Sequence, residues 1–183
     1  MKKLLILRHA QAANTAIGGT DKTRKLTPNG VADAKALGKL MSRENLQPGA
    51  VLCSAATRTR ETLHNVMETL DTIGDNASIE YLDKLYNADF NVLVDAIAEA
   101  SNDVQNLLVV AHNPGVHMLA AWLAREDGSP LVERLSMSYA PATLTVLQCD
   151  IEDWADLKSY SNKVLSVHET IEYNADERPT RWM

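Results

Sequence analysis

The chain has 183 residues, 45% of them hydrophobic and 23% charged, a length that suits one domain burying roughly 70% of its unfolded surface and a composition that excludes wholesale disorder. Its formal net charge of -6 argues against a general nucleic-acid binder, and no segment approaches the run of apolar residues that a membrane span needs. Cys53 and Cys149 lack the number and spacing of a disulfide framework or a zinc site, so they read as buried thiols of a cytoplasmic protein.

In chain order, Leu4-Leu5-Ile6-Leu7 reads as a buried strand that stops at Arg8-His9. A polar loop follows from Ala10 to Leu26, with the charged segment Asp21-Lys22-Thr23-Arg24-Lys25 expected to be wet. Thr27 then caps, and Pro28 starts, an amphipathic helix to about Asn45, with Val31, Ala34, Leu37, Leu40 and Met41 at helical spacing. Pro48-Gly49 turns the chain into a second strand, Ala50 to Cys53, ending at Ser54, which is expected to cap the next helix. That helix carries Leu63, Val66, Met67, Leu70 and Ile73 on one face and stops at Gly74.

Ser78 to Leu82 is a weaker strand. After a short Asp83 to Ala88 connection, Asp89 caps a helix carrying Val92, Leu93, Ile97 and Ala98. Asn106 to Ala111 is the clearest buried strand, and His112-Asn113-Pro114-Gly115 leads into a helix with Met118, Leu119, Trp122 and Leu123. This alternation predicts right-handed crossovers and a largely parallel sheet. Ala142 to Cys149 supplies another strand, and Leu157 to Val167 an edge strand or hairpin partner. The polar segment from Glu169 to Met183 is expected to be a loosely held tail on a single domain spanning residues 1–168.

Three strands thereby deliver basic groups to one end of the sheet: Arg8 and His9 after the first, Arg58 one turn beyond the second, His112 after Ala111. In a parallel sheet these exits share one edge, where ligands bind. Several cations gathered together need a compensating anion, and the implied ligand is a phosphoryl group. Two histidines could instead hold a metal, but a dication calls for carboxylates or thiolates, whereas Arg8 and Arg58 repel it and suit a phosphoryl group. His64, His117 and His168 lie away from strand exits. Arg60 points about 200° around the helix from Arg58.

Leu7-Arg8-His9-Ala10, then Ser54, Arg58 and Thr62 as Ser-x-x-x-Arg-x-x-x-Thr, and Ala111-His112-Asn113-Pro114-Gly115 together resemble the histidine phosphatase superfamily. Leu26-Thr27 with Gly30 and Ala34 is similar to the family's helix start. The resemblance covers roughly residues 1 to 150 and is nearest to the small SixA-type phosphohistidine phosphatases. Ala10 stands where the family usually has glycine, and Ala55 where it commonly has proline. The resemblance implies a phosphoglycerate mutase-like fold, a three-layer α/β/α sandwich with a mostly parallel central sheet.

It further implies that His9 is a nucleophile forming a phosphohistidine, while Arg8, Arg58 and His112 surround the transferring phosphoryl oxygens. Asn113, Arg24, Gln11 and Asp83 are candidate substrate-binding residues, and neither a metal nor an organic cofactor is implied. Where the family commonly places an acid, this chain has Lys84, with Asp83 beside it as the substitute. The short connection from Asp83 to Ala88 leaves no room for the insertion that roofs the site in larger members. An open site without a clear acid suits phosphohistidine on a partner protein, since an imidazole leaves more readily than an alkoxide. Two alternatives stay open: a phosphomonoesterase for small sugar or nucleotide phosphates, and a non-catalytic phosphate or phosphoprotein binder.

Overall fold

A computed structural model describes residues 1–16, 18–71 and 77–173. The apolar run at the start becomes β1 (Lys2–Arg8), and Leu4 through Leu7 are fully buried because both faces of the strand are covered. Leu4 and Ile6 enter one core, Leu5 and Leu7 the other. The same division splits β2 (Ala50–Ser54) and β4 (Asn106–Ala111), which is why these strands read as continuous apolar runs. Cys53 and Cys149 are buried free thiols, on opposite faces of the sheet.

With β3 (Ser78–Leu82), β5 (Leu144–Cys149) and β6 (Lys163–His168), the sheet runs in the order β3-β2-β4-β1-β5-β6. The first four strands pair in parallel, and β5 and β6 add antiparallel pairs at one side. The mostly parallel expectation holds. Arg8 pairs with Ala111 and Val110 with Cys53, so the carboxyl ends of β1, β4 and β2 stand level.

The helices form the outer layers of the expected sandwich. On one face lie α1 (Pro28–Arg43), α2 (Thr57–Thr69) and, against α1, the short α6 (Thr170–Tyr173); on the other lie α3 (Phe90–Ala98), α4 (Gly115–Leu123) and α5 (Pro130–Met137). Thr27 caps α1 as its sequence dictates, its Oγ1 accepting from Gly30 N at 3.0 Å ahead of proline at the first helical position. Gly30 packs directly on the Gln11 carbonyl, leaving no space for a Cβ. That contact ties the start of α1 to the loop after β1.

Several expectations need correcting. Ser54 is not the cap of α2: the cap position falls at Ala56, which has no side chain to offer. Asp89 does occupy the cap position of α3, yet its carboxylate makes no cap bond. Helix α4 begins at Gly115 with Pro114 as its cap, and α5 has no counterpart among the expected elements. The segment expected to be a loose tail is tied at its start, because Arg134 pairs with Glu169 at 3.0 Å and Glu172 at 2.9 Å, and Tyr173 Oη donates to Ala142 O at 2.7 Å. Helix α2 ends at Thr69 with Leu70 as an extended cap, short of the expected stop at Gly74; Ile73, Gly74 and the tail beyond Tyr173 lie outside the described residues. No helix among the described residues is long and apolar enough to cross a membrane.

Candidate active site

The level strand ends open into a pocket of about 380 Å3 lined by Arg8, His9, Gln11, Ala12, Asp21, Arg24, Arg58, Asn87, His112, Asn113 and Pro141. Seven of the eight residues singled out from sequence are thus brought together. The eighth, Asp83, is not among the lining residues: its exposed carboxylate pairs with Lys22 Nζ at 2.6 Å. Lys84 turns to Glu99 at 2.5 Å. The connection between β3 and α3 therefore contributes Asn87 to the pocket and no acid.

His9 follows the central strand and is 9% exposed. Its backbone is fixed on both sides, His9 N donating to Ala111 O and Ala142 N donating to His9 O, each at 3.1 Å. Its Nδ1 lies 2.8 Å from Ala10 O. A carbonyl only accepts, so Nδ1 carries the hydrogen and Nε2 keeps its lone pair. Burial, followed by the nearby guanidinium groups of Arg58, Arg8 and Arg24, lowers the pKa of His9 to about 4 against the opposing pull of the Ala10 carbonyl. At neutral pH the ring is a free base.

The spaced Ser, Arg and Thr each acquire a physical reason. Ser54 Oγ lies 2.8 Å from His112 Nε2 and 3.5 Å from Ala56 N. Arg58, on the first turn of α2, is buried in the pocket wall. One turn later, Thr62 Oγ1 donates to Arg58 O at 2.6 Å and accepts from Ala10 N at 2.9 Å. This joins the helix to the chain beside His9. His112 stands with its ring centroid 5.2 Å from that of His9, and burial above all, then the charges of its neighbours, lowers its pKa to about 3.

Arg8 Nη1 donates to Tyr139 O at 2.6 Å, and Asn113 Nδ2 donates to the same carbonyl at 3.0 Å. Tyr139 itself is anchored through Oη to Ile6 O at 2.8 Å and Thr145 Oγ1 at 2.9 Å. Arg8 Nε, Arg58 Nε, His112 Nδ1 and Asn113 Oδ1 are buried without a hydrogen-bond partner among the described residues. The two guanidinium Nε groups and His112 Nδ1 are donors that suit a multiply charged oxyanion, whereas Asn113 Oδ1 is an acceptor. Gln11 accepts from Thr27 Oγ1 at 2.9 Å at the rim.

Asp21 and Asn87 are polar pocket residues that sequence reasoning missed, and Asp21 is the more heavily bonded. Its Oδ1 accepts from Arg24 Nε at 2.8 Å, its Oδ2 from Tyr86 Oη at 2.6 Å and Arg58 Nη2 at 3.2 Å, and its carbonyl from Arg58 Nη1 at 2.9 Å. The Tyr86 hydroxyl, then the cations of Arg58 and Arg24, lower its pKa to about 2. An acid set between basic residues of a charged loop was the one available signal. The guanidinium groups of Arg8, Arg24 and Arg58 thus line the pocket with a single carboxylate, which two of them contact directly. Among the described residues, no group of three or more His, Cys, Asp or Glu side chains is arranged to hold a metal.

Residues 4–96 match the profile of the Histidine phosphatase superfamily (branch 1). The chain belongs to this superfamily. An uncharacterised protein of Mycobacterium tuberculosis is 31% identical over 164 residues, covering 88% of this chain and 98% of the relative. The phosphohistidine phosphatase SixA of Escherichia coli is 29% identical over 131 residues, covering 70% and 78%. A solved structure from Nakamurella multipartitia, assigned as a phosphohistidine phosphatase SixA, superposes with a TM-score of 0.78 at 30% identity, covering 92% of this chain and 95% of the other. The central sheet and its helical layers are those of the phosphoglycerate mutase-like fold.

Proposed function

We propose that residues 1–168 form a metal-independent phosphatase domain that uses His9 as nucleophile and removes phosphate from phosphohistidine on partner proteins in the cytoplasm. The observation that carries this reading is the His9 ring itself: neutral, held by Nδ1 against Ala10 O at 2.8 Å, and ringed by Arg8, Arg24 and Arg58. Its Nε2 lone pair attacks phosphorus in line, the bond to the leaving group breaks, and the guanidinium groups with His112 and Asn113 hold the non-bridging oxygens. Water then cleaves the His9–phosphorus bond, returning free His9 and phosphate.

Two observations favour phosphohistidine over a phosphate ester. An ester expels an alkoxide and gains strongly from a proton donor, but Asp83 is turned to Lys22 and Asp21 is held as an anion. Among the described residues, the connection from β3 to α3 is also too short, residues 83–89, to roof the pocket. The likeness to the SixA phosphohistidine phosphatase of Escherichia coli points the same way. Rapid-quench labelling tests the reading: wild-type protein should trap acid-labile phosphate that His9→Ala does not. Labelling that survived in His9→Ala would overturn it.

A further inference from the structure

A carboxylate inside a pocket built for an anion is an anomaly that phosphoryl binding alone does not explain. The side chain of Asp21 is 49% exposed, whereas His9 is only 9% exposed, so the nucleophile lies deep and the carboxylate at the mouth. In-line attack from His9 expels the leaving group away from the nucleophile, toward that mouth. Asp21 is the carboxylate that lines the pocket on its exposed side.

Resting on the proposed phosphatase reaction, we propose that Asp21 is a specificity-determining residue that accepts a hydrogen bond from the ring N–H of a phosphoimidazolium substrate and so selects phosphohistidine against phosphate esters. A phosphorylated imidazole leaves well only when its other nitrogen is protonated. The pair of the breaking P–N bond then stays on the departing nitrogen, and the product is neutral imidazole rather than an imidazolate. A carboxylate at the far nitrogen holds that proton in place. His9 shows the same arrangement on the enzyme side, where Nδ1–H is held by Ala10 O.

Asp21 has the capacity for this bond. Among the described residues, Oδ1 accepts from Arg24 Nε alone, and Oδ2 from Tyr86 Oη and Arg58 Nη2, while a carboxylate has about four lone-pair sites. A phosphoryl group that draws Arg58 to itself frees one more. Toward an ester the same group is unhelpful, because an acid with a pKa of about 2 offers no proton to a departing alkoxide and repels its developing charge.

The test compares kcat/KM for a phosphohistidine peptide and a phosphotyrosine peptide of matched sequence, in wild type and Asp21→Asn, with vanadate affinity measured in parallel. The ratio of phosphohistidine to phosphotyrosine turnover should fall about tenfold or more in Asp21→Asn, the size expected for one lost charge-assisted hydrogen bond, with vanadate still bound. Asp21→Glu should recover part of the ratio. A ratio unchanged within twofold overturns the proposal, as does a parallel loss on both substrates together with vanadate binding, which would make Asp21 a mere anchor for Arg58. Acid-labile phosphate on wild-type His9 is scored separately, so failure of the phosphatase reading is distinguished from failure of the selectivity.

Discussion

Ser54 Oγ and His112 Nε2 meet at 2.8 Å across the adjoining ends of β2 and β4, and this contact fixes the imidazole with Nδ1 left unpaired. Ser54→Ala leaves a buried ring nitrogen without its partner, at a cost of about 1–3 kcal/mol in stability. Urea unfolding should register that loss, and phosphoenzyme formation should slow about tenfold as the ring gains freedom. Wild-type rates in this variant would show that the hydroxyl does not orient His112.

The low pKa values of His9 and His112, about 4 and about 3, have a definite sign. Both rings are neutral in the fold but protonate near 6.5 when unfolded, so between those values the unfolded chain binds more protons. Their contribution to stability is complete above about pH 6.5 and declines as pH falls toward 4. Imidazole proton resonances followed by NMR should place both midpoints below 5. A midpoint near 6.5 for either ring would contradict the buried, guanidinium-ringed environment described for them.

Arg58 donates to Asp21 through both Nη atoms and is fixed at its backbone carbonyl by Thr62. Arg58→Ala should weaken vanadate binding about 100-fold, a loss of about 3 kcal/mol typical of a buried charge partner. Arg58→Lys should restore little of it, because an ammonium lacks the planar fork. Calorimetric titration measures both, and near wild-type affinity in the lysine variant would show that charge alone suffices.

Gly30 touches the backbone carbonyl of Gln11 where a Cβ would stand, whereas the space at Gly49 is open to 3.7 Å, with Asn106 O its nearest neighbour. Gly30→Ala should destabilise by about 1–3 kcal/mol and displace Gln11 at the pocket rim. Gly49→Ala should fall within about 0.5 kcal/mol of wild type. Thermal unfolding of the two variants side by side checks the contrast.

What could be read from the sequence follows physical lines. Strands β1, β2 and β4 were legible because both faces are buried, and Arg8, His9 and His112 because a charge ending an apolar run has no structural reason to be there. Strand β3 was faint because its residues from Ser78 to Tyr81 are exposed at the sheet edge. Helix α5 escaped because it is only eight residues long and its apolar face is short: Leu135 is buried and Leu131 and Val132 are only partly so, despite Ser129 and Pro130 at its start. The carbonyl of Tyr139, which receives both Arg8 and Asn113, has no side-chain signature at all. Asp21 looked like solvent-facing charge, and its partners Tyr86 and Arg58 are remote in sequence.

The backbone bonds on either side of His9 give the two walls of the pocket different mechanical characters. Amide exchange at Arg8 and His9 requires parting β1 from β4 and β5, an event close to global unfolding, whereas the exposed turn bearing Asp21 can open with little loss of buried contact. The reacting atom is thus clamped while the rim beside it yields. Adjustment of residues 18–25 to a docking protein therefore carries Asp21 and Arg24 with it and is felt by Arg58, while His9 keeps its place.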